Sequence, residues 1–367
     1  MDKTPSGRGL ALSGGGYRAT LFHIGSLWRL NELGWLKTFD DITSVSGGSI
    51  TAAWLAVNWD GLAFDSNGIA TRFEPLVVKP LREFCSRGID IKAGLFGVIN
   101  PFSSSAKQLI KSYDSGLFNG RTLQDLPDSD IDGVPRFTLY ATNLQTGVSV
   151  RLARDYMADY TLGKIDRPQI PLAVATAASS AFPPVFCPVE LETDLSSWTI
   201  FPNARLSDRD DLRRRMLLGD GGIYDNMGLQ RVLNRRQTIL ISDAGAPIDV
   251  EKSIGFDYLR RTLRVLDIIT EQTRALRKAP FINELQQGVR QGTYWGISTI
   301  IQEYANETVA PLMSDSQETA ALAHVRTRLN AFADEEQKAL INWGYALTDA
   351  AMRRYVLEDA QPGRLPY

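Results

Sequence analysis

Two short apolar runs near the start of the chain each end in glycine, and each leads into a helical pattern of apolar residues. The first run ends at Ser13, three glycines follow, and apolar residues then recur at helical spacing over 17–33. The second run, 41–45, ends at Ser46-Gly47-Gly48, and an apolar helix is predicted over 50–57. Strands alternating with helices in this way predict an α/β fold, with a central, mostly parallel sheet flanked by helices.

Beyond these two units the pattern predicts a single domain, 1–367, in three parts. The strand-bearing core occupies about 8–246, and a helical insertion with loops rich in Gly and Pro interrupts it at about 60–130. A mostly helical extension is expected over about 250–367. In this extension we predict one further strand, 293–301, and helices at 257–277, 281–287, 316–330 and 335–356.

Composition and charge narrow the classes of function. The net charge is −2 over 367 residues, which gives no electrostatic basis for nucleic-acid binding. Cys85 and Cys187 match no metal or redox spacing, so we expect isolated thiols, a reducing compartment and no metal or other cofactor. We find neither a signal-peptide pattern nor a membrane-spanning apolar stretch. The expected location is therefore cytoplasmic, with peripheral membrane contact and the oligomeric state left open.

The three adjacent glycines, Gly14-Gly15-Gly16, predict an anion site. They carry no side chains that would keep a ligand from the backbone, and a helix begins directly after them. Their N–H groups and the positive end of that helix favour negative charge at one point. The anion would be either a bound phosphate or an oxyanion that forms only during a reaction.

Ser46 is the candidate nucleophile. It lies between a predicted strand and a predicted helix, with Gly47 and Gly48 behind it, and so approaches the G-x-S-x-G elbow that exposes a serine hydroxyl. Ser44 stands where that pattern has its first glycine. The simpler alternative is a serine that caps the following helix.

A serine nucleophile needs a base, and the chain offers an aspartate and two histidines. Asp220 ends a predicted strand before Gly221 and Gly222, a setting in which a carboxylate can act as a general base, although Asp-Gly also closes ordinary turns. His23 lies well inside the first helix, and His324 lies in the predicted helix 316–330. The order Ser46, Asp220, His324 matches that of an α/β-hydrolase triad, which remains an alternative.

These pieces, in this order, resemble the patatin-like phospholipase family. The resemblance covers about residues 9–243, and the glycine turn is also similar to that of the cytosolic phospholipases of the same superfamily. Ala19 and Ser44 stand where the family commonly has glycine. The motifs that carry the resemblance are Gly14-Gly15-Gly16-Tyr17-Arg18, Ser44-Val45-Ser46-Gly47-Gly48, Ala178-Ser179-Ser180-Ala181-Phe182-Pro183-Pro184-Val185-Phe186 and Asp220-Gly221-Gly222.

The resemblance implies a three-layer patatin-like fold and a lipid acyl hydrolase with a Ser46–Asp220 dyad. The N–H groups of Gly15 and Gly16 would hold the oxyanion. Arg18 would face the substrate phosphate or hold the loop, and Gly14 and Gly47 would line the substrate site. The implied partner is a phospholipid or another acyl ester.

Other functions fit parts of the same pattern. An esterase or thioesterase for small acyl substrates would use the same dyad, and a lipid-binding scaffold would keep the fold without the chemistry. The spacing Gly14-x-Gly16-x-x-Ala19 also fits a dinucleotide fingerprint. Such a site needs an acidic residue at the end of the second strand, whereas Asp40 and Asp41 lie at its beginning.

Overall fold

A single sheet organises the chain in a computed structural model, which describes residues 4–89, 101–183, 186–248, 250–251, 257–327 and 329–367. The strands are β1 (Arg8–Leu12), β2 (Asp41–Val45), β3 (Arg136–Asn143), β4 (Val148–Ala153), β5 (Tyr156–Asp159), β6 (Gly163–Asp166), β7 (Val189–Glu192), β8 (Trp198–Thr199), β9 (Arg215–Asp220), β10 (Thr238–Asp243) and β11 (Gln291–Gly296). The α-helices are α1 (Gly16–Glu32), α2 (Gly47–Val57), α3 (Lys79–Cys85), α4 (Pro101–Tyr113), α5 (Leu172–Ser180), α6 (Asp210–Arg214), α7 (Gly222–Asp225), α8 (Gln230–Arg235), α9 (Tyr258–Gln286), α10 (Gln317–Leu322) and α11 (Asp334–Tyr355).

The sheet has a parallel part and an antiparallel part. Strands β11, β10, β1, β2 and β3 run parallel in that spatial order, and β4, β5, β6 and β8 continue from β3 as an antiparallel meander. β9 pairs antiparallel with the end of β3, so that Asp220 lies opposite Ala141. The carboxyl ends of the parallel strands therefore share one rim, which β9 also reaches.

Helices cover both faces of the sheet, and apolar side chains of β1 point to each face in turn. Leu10 and Leu12 point into the larger core, where side chains of α1, α2 and α11 pack. Ala11 points to the opposite face, where Ile239 and Ile241 of β10 meet side chains of α8 and α9. Because successive residues of a strand face opposite sides, both faces of this strand are apolar from Leu10 to Leu12. The predicted α/β sandwich is confirmed.

The C-terminal part differs in detail from the sequence-based prediction. The helices predicted at 257–277 and 281–287 are one helix, α9, with Pro280 inside it. The predicted helix 316–330 ends at Leu322, because the carbonyls of Ala323 and Val325 accept hydrogen bonds from the Arg18 side chain instead of continuing a helix. The last strand, β11, joins the sheet beside β10.

Candidate active site

Ser46 lies at the turn between β2 and α2 in a backbone conformation rare for a side-chain-bearing residue, with φ 51° and ψ −120°. Because Gly47 has no side chain, the turn can pack closely against the backbone of Gly16. A Cβ on Gly47 would come within 2.0 Å of the carbonyl oxygen of Gly16. This strand–turn–helix geometry, with a positive φ at the serine, resembles that of a nucleophile elbow, and the role of Ser46 as nucleophile stays a prediction.

Asp220 is the last residue of β9 and is almost fully buried, with 3% of its surface exposed. Its N–H donates to the carbonyl of Ala181, and its own carbonyl accepts the hydroxyl of Thr142. Burial raises the pKa of its carboxyl to about 7, while hydrogen bonds from the Gly222 N–H and the Ser46 side chain hold this pKa lower than burial alone would. The pKa of Asp220 therefore depends on the Ser46 side chain as well as on burial.

Ser179, near the end of α5, connects the two residues. Its carbonyl oxygen accepts the N–H of Ser46 and the N–H of Gly221, each at 3.1 Å. Its hydroxyl lies 3.0 Å from the nitrogen of Ser46 and 2.8 Å from the hydroxyl of Ser49. No role was predicted for Ser179 from the sequence. The only available signal was its position within the motif 178–186.

The glycine turn faces the same rim from the end of β1. The N–H of Gly14 donates to the carbonyl of Asn226, whereas within the described part of the chain no hydrogen bond is recorded from the N–H of Gly15 or Gly16. Gly16 has φ +56°, and a Cβ there would come within 1.6 Å of the carbonyl oxygen of Thr327. The turn therefore offers two backbone donors at the start of α1 and is packed by the chain around Thr327.

Arg18 is buried and holds loops together. Its guanidinium donates to the carbonyls of Ala323 and Val325, each at 2.9 Å, and to that of Ala244 at 2.7 Å. Only 1% of its surface is exposed. Of the two roles predicted for Arg18, this geometry supports loop holding. Contact with a substrate phosphate stays a prediction, as do the substrate-binding roles of Gly14 and Gly47.

The two histidines occupy different settings. His23 is fully buried between the carbonyl of Ser13 at 2.9 Å and the hydroxyl of Ser242 at 2.8 Å, and burial lowers its pKa to about 4, so it is neutral at pH 7. It reaches these strand ends because helical side chains lean toward the helix N-terminus. His324 is exposed in the turn after α10, and its predicted place on a helix was wrong.

Two further features bear on ligands. Among the described residues, no group of three or more His, Cys, Asp or Glu side chains is arranged to hold a metal ion. Within the same ranges, no helix has both the length and the apolar character needed to cross a bilayer.

Residues 10–233 match the patatin-like phospholipase family, and the chain belongs to that family. Among solved structures, it is similar to human GIVD cytosolic phospholipase A2, with a TM-score of 0.52, 12% identity and coverage of 94% of this chain and 61% of that one. It is also similar to the same enzyme in complex with methyl gamma-linolenyl fluorophosphonate, with a TM-score of 0.53, 14% identity and coverage of 94% and 57%. The chain thus spans about three fifths of the length of these structures. No curated protein sequence matches it.

Proposed function

We propose that the chain is a lipid acyl hydrolase that releases fatty acyl groups from phospholipids or lysophospholipids through a Ser46–Asp220 dyad. The observation that carries this proposal is that one carbonyl, that of Ser179, accepts both the N–H of Ser46 and the N–H of Gly221, next to Asp220 with its pKa raised by burial to about 7. Among the described residues, the N–H groups of Gly15 and Gly16 in the adjacent glycine turn make no hydrogen bond. Membership of the patatin-like phospholipase family supports the lipid substrate.

The reaction proceeds in two steps. Ionised Asp220 accepts the proton of the Ser46 hydroxyl as its oxygen attacks the ester carbonyl. The N–H groups of Gly15 and Gly16 stabilise the negative oxygen of the tetrahedral intermediate, and one such donor is typically worth about 3 kcal/mol. Asp220 then returns the proton to the leaving alcohol, and the acyl group remains on Ser46. A water molecule, deprotonated by Asp220, attacks the acyl-enzyme, and Asp220 returns the proton to the Ser46 oxygen as the fatty acid leaves.

The environment of Asp220 suits this cycle. A base with a pKa near the working pH combines a substantial ionised fraction with a strong enough tendency to take a proton. The pKa of Asp220, raised by burial to about 7, has this value. Neutral His23 is held by Ser13 and Ser242, so its ring nitrogens are already committed elsewhere.

A fluorophosphonate with a fatty chain tests the nucleophile, since a fluorophosphonate inhibitor is bound in a structure of the related human phospholipase. We expect one covalent adduct on Ser46 by mass spectrometry, lost in Ser46→Ala and retained in the matched control His324→Ala. Ser46→Ala and Asp220→Asn should each abolish acyl release from phospholipid vesicles.

The alternatives predict different results. Hydrolysis of short soluble esters without release from vesicles would indicate an esterase or thioesterase for small acyl substrates. A folded protein with neither adduct nor turnover would indicate a lipid-binding scaffold. Loss of both in His324→Ala would favour the Ser46, Asp220, His324 triad.

A further inference from the structure

Helix α9 extends beyond the rim that carries Ser46 and Asp220. Its C-terminal part packs on the sheet, where Phe281 is buried. Arg274 marks the level of the rim, since its guanidinium contacts the carboxylate of Asp243 and the carbonyl of Gly245 at the end of β10. At 1.5 Å per residue, the sixteen residues from Arg274 back to Tyr258 span about 24 Å of helix, on the side of this contact away from Phe281.

The projecting half of α9 exposes apolar side chains to solvent. Among the described side chains from Tyr258 to Pro280, none is fully buried. Those that form the exposed apolar face are between 47% and 83% exposed and are Tyr258, Val265, Ile268, Ile269 and Leu276. Four of the five recur at spacings of seven, four and seven residues. Each of these four therefore points within roughly 20° of one common direction from the helix axis.

The charges on this half of the helix are arranged around the apolar face. Arg260, Arg261 and Arg264 stand in the first two turns, although the whole chain has a net charge of −2. The two acidic residues, Asp267 and Glu271, lie on the opposite side from the apolar face by helical spacing. By the same spacing, Arg261 borders the apolar face, whereas Arg260 and Arg264 lie on the polar side and form ion pairs with acidic side chains. A helix with an exposed apolar face and arginines on its polar side is the pattern of a helix that lies in the interface of an anionic membrane.

We propose that α9 is a membrane-docking helix, whose exposed apolar face enters the headgroup region of an anionic lipid surface and brings the rim to that surface. This inference rests on the proposed lipid acyl hydrolase function, which supplies the reason for such contact. A second copy of the chain is the rival occupant. A single line of five side chains falls well short of the roughly 20–30 residues per partner that specific protein interfaces use.

Vesicle sedimentation tests the docking surface. The protein would carry Ser46→Ala to prevent hydrolysis, and the vesicles would be phosphatidylcholine with or without phosphatidylglycerol. We expect Val265→Asp/Ile269→Asp to weaken binding to the anionic vesicles by at least about tenfold, because two apolar side chains lose their burial in lipid. Arg260→Glu/Arg261→Glu should weaken binding to anionic vesicles while leaving binding to neutral ones unchanged.

The chain offers a matched control. Val289 and Ile131 are 56% and 60% exposed, close to Val265 and Ile269 at 54% and 52%. They precede β11 and β3, at the opposite end of the parallel strands. Val289→Asp/Ile131→Asp should bind vesicles like the parent protein.

Turnover of a short soluble ester, measured with Ser46 intact, separates this inference from the proposed function. Val265→Asp/Ile269→Asp should keep that turnover and lose most of the turnover on vesicles. Vesicle binding equal to that of the control variant would overturn the docking role, as would a dimer that dissociates on substitution while vesicle binding persists. Absence of ester turnover in the parent protein would refute the proposed hydrolase function. The docking role of α9 would then be decided by vesicle binding alone.

Discussion

Ser179 holds the backbone of Ser46 with both of its oxygens. The N–H of Ser46 lies 3.1 Å from the carbonyl oxygen and 3.0 Å from the hydroxyl of Ser179. The same carbonyl accepts the N–H of Gly221, next to Asp220. One residue at the end of α5 thus fixes the positions of the proposed nucleophile and the proposed base relative to each other.

Removing the Ser179 hydroxyl should slow catalysis without weakening substrate binding. We expect Ser179→Ala to lower kcat by about tenfold and to leave KM nearly unchanged, because the positive-φ turn at Ser46 loses one of its two acceptors. Steady-state kinetics on a soluble ester measure this split. Thr176→Val is the matched control, since within the described residues the buried hydroxyl of Thr176 has no hydrogen-bond partner. Equal losses in both variants would contradict a positioning role for Ser179.

The pH dependence of turnover should follow Asp220. Because this carboxylate must be ionised to accept a proton, kcat/KM for a soluble ester should rise through one deprotonation with a midpoint near its pKa of about 7. A pH–rate profile measures the midpoint. We expect His324→Gln to leave the pH–rate profile unchanged. A profile without an inflection near pH 7, or one that disappears in His324→Gln, would argue against Asp220 as the base.

Asp220→Asn should make the protein more stable while it loses activity. The pKa of Asp220 is raised in the folded state from 3.8 to about 7, so folding favours its protonated form. The contribution of this carboxyl to the free energy of unfolding is therefore fully present below pH 3.8 and is lost as the pH rises through about 7. The neutral amide removes this penalty. We expect the free energy of unfolding to increase by about 1–4 kcal/mol at pH 8 and little at pH 4. Denaturant titrations at the two pH values measure the difference, and an equal effect at both would be inconsistent with burial of an ionised group.

Arg18→Met distinguishes loop holding from phosphate binding. The substitution leaves the carbonyls of Ala244, Ala323 and Val325 without their donor, so stability should fall by about 2–4 kcal/mol. If the guanidinium only holds loops, the ratio of turnover on a phospholipid to turnover on a neutral ester should stay constant. A selective loss on the phospholipid would instead assign Arg18 to the phosphate.

The sequence predicted those parts of the site that depend on local geometry. A strand, a turn with glycine and a helix follow one another at Gly14–Gly16 and again at Ser46, so their place at the rim follows from the parallel sheet. Asp220 was predicted from its motif, although its strand joins the rim antiparallel.

Long-range contacts could not be predicted in the same way. Ser179 acts through a backbone carbonyl, which every residue has, so its type carries no signal. The end of α10 depends on Arg18, 305 residues earlier in the chain than Ala323, whose carbonyl it binds. Helical periodicity alone therefore continued that helix to residue 330. The gap predicted between the helices 257–277 and 281–287 is likewise absent, since α9 runs through Pro280.

The reach of Arg18 has a practical consequence for anyone who excises the region 10–233 that carries the family signature. Such a fragment would lack β10 and α11, together with the three carbonyls that accept hydrogen bonds from the Arg18 guanidinium, and so would lose the contacts that tie α1 to the C-terminal part of the chain. We therefore expect a stable unit of this chain to extend through α11, and the motif-bearing segment alone to be less stable than the full chain.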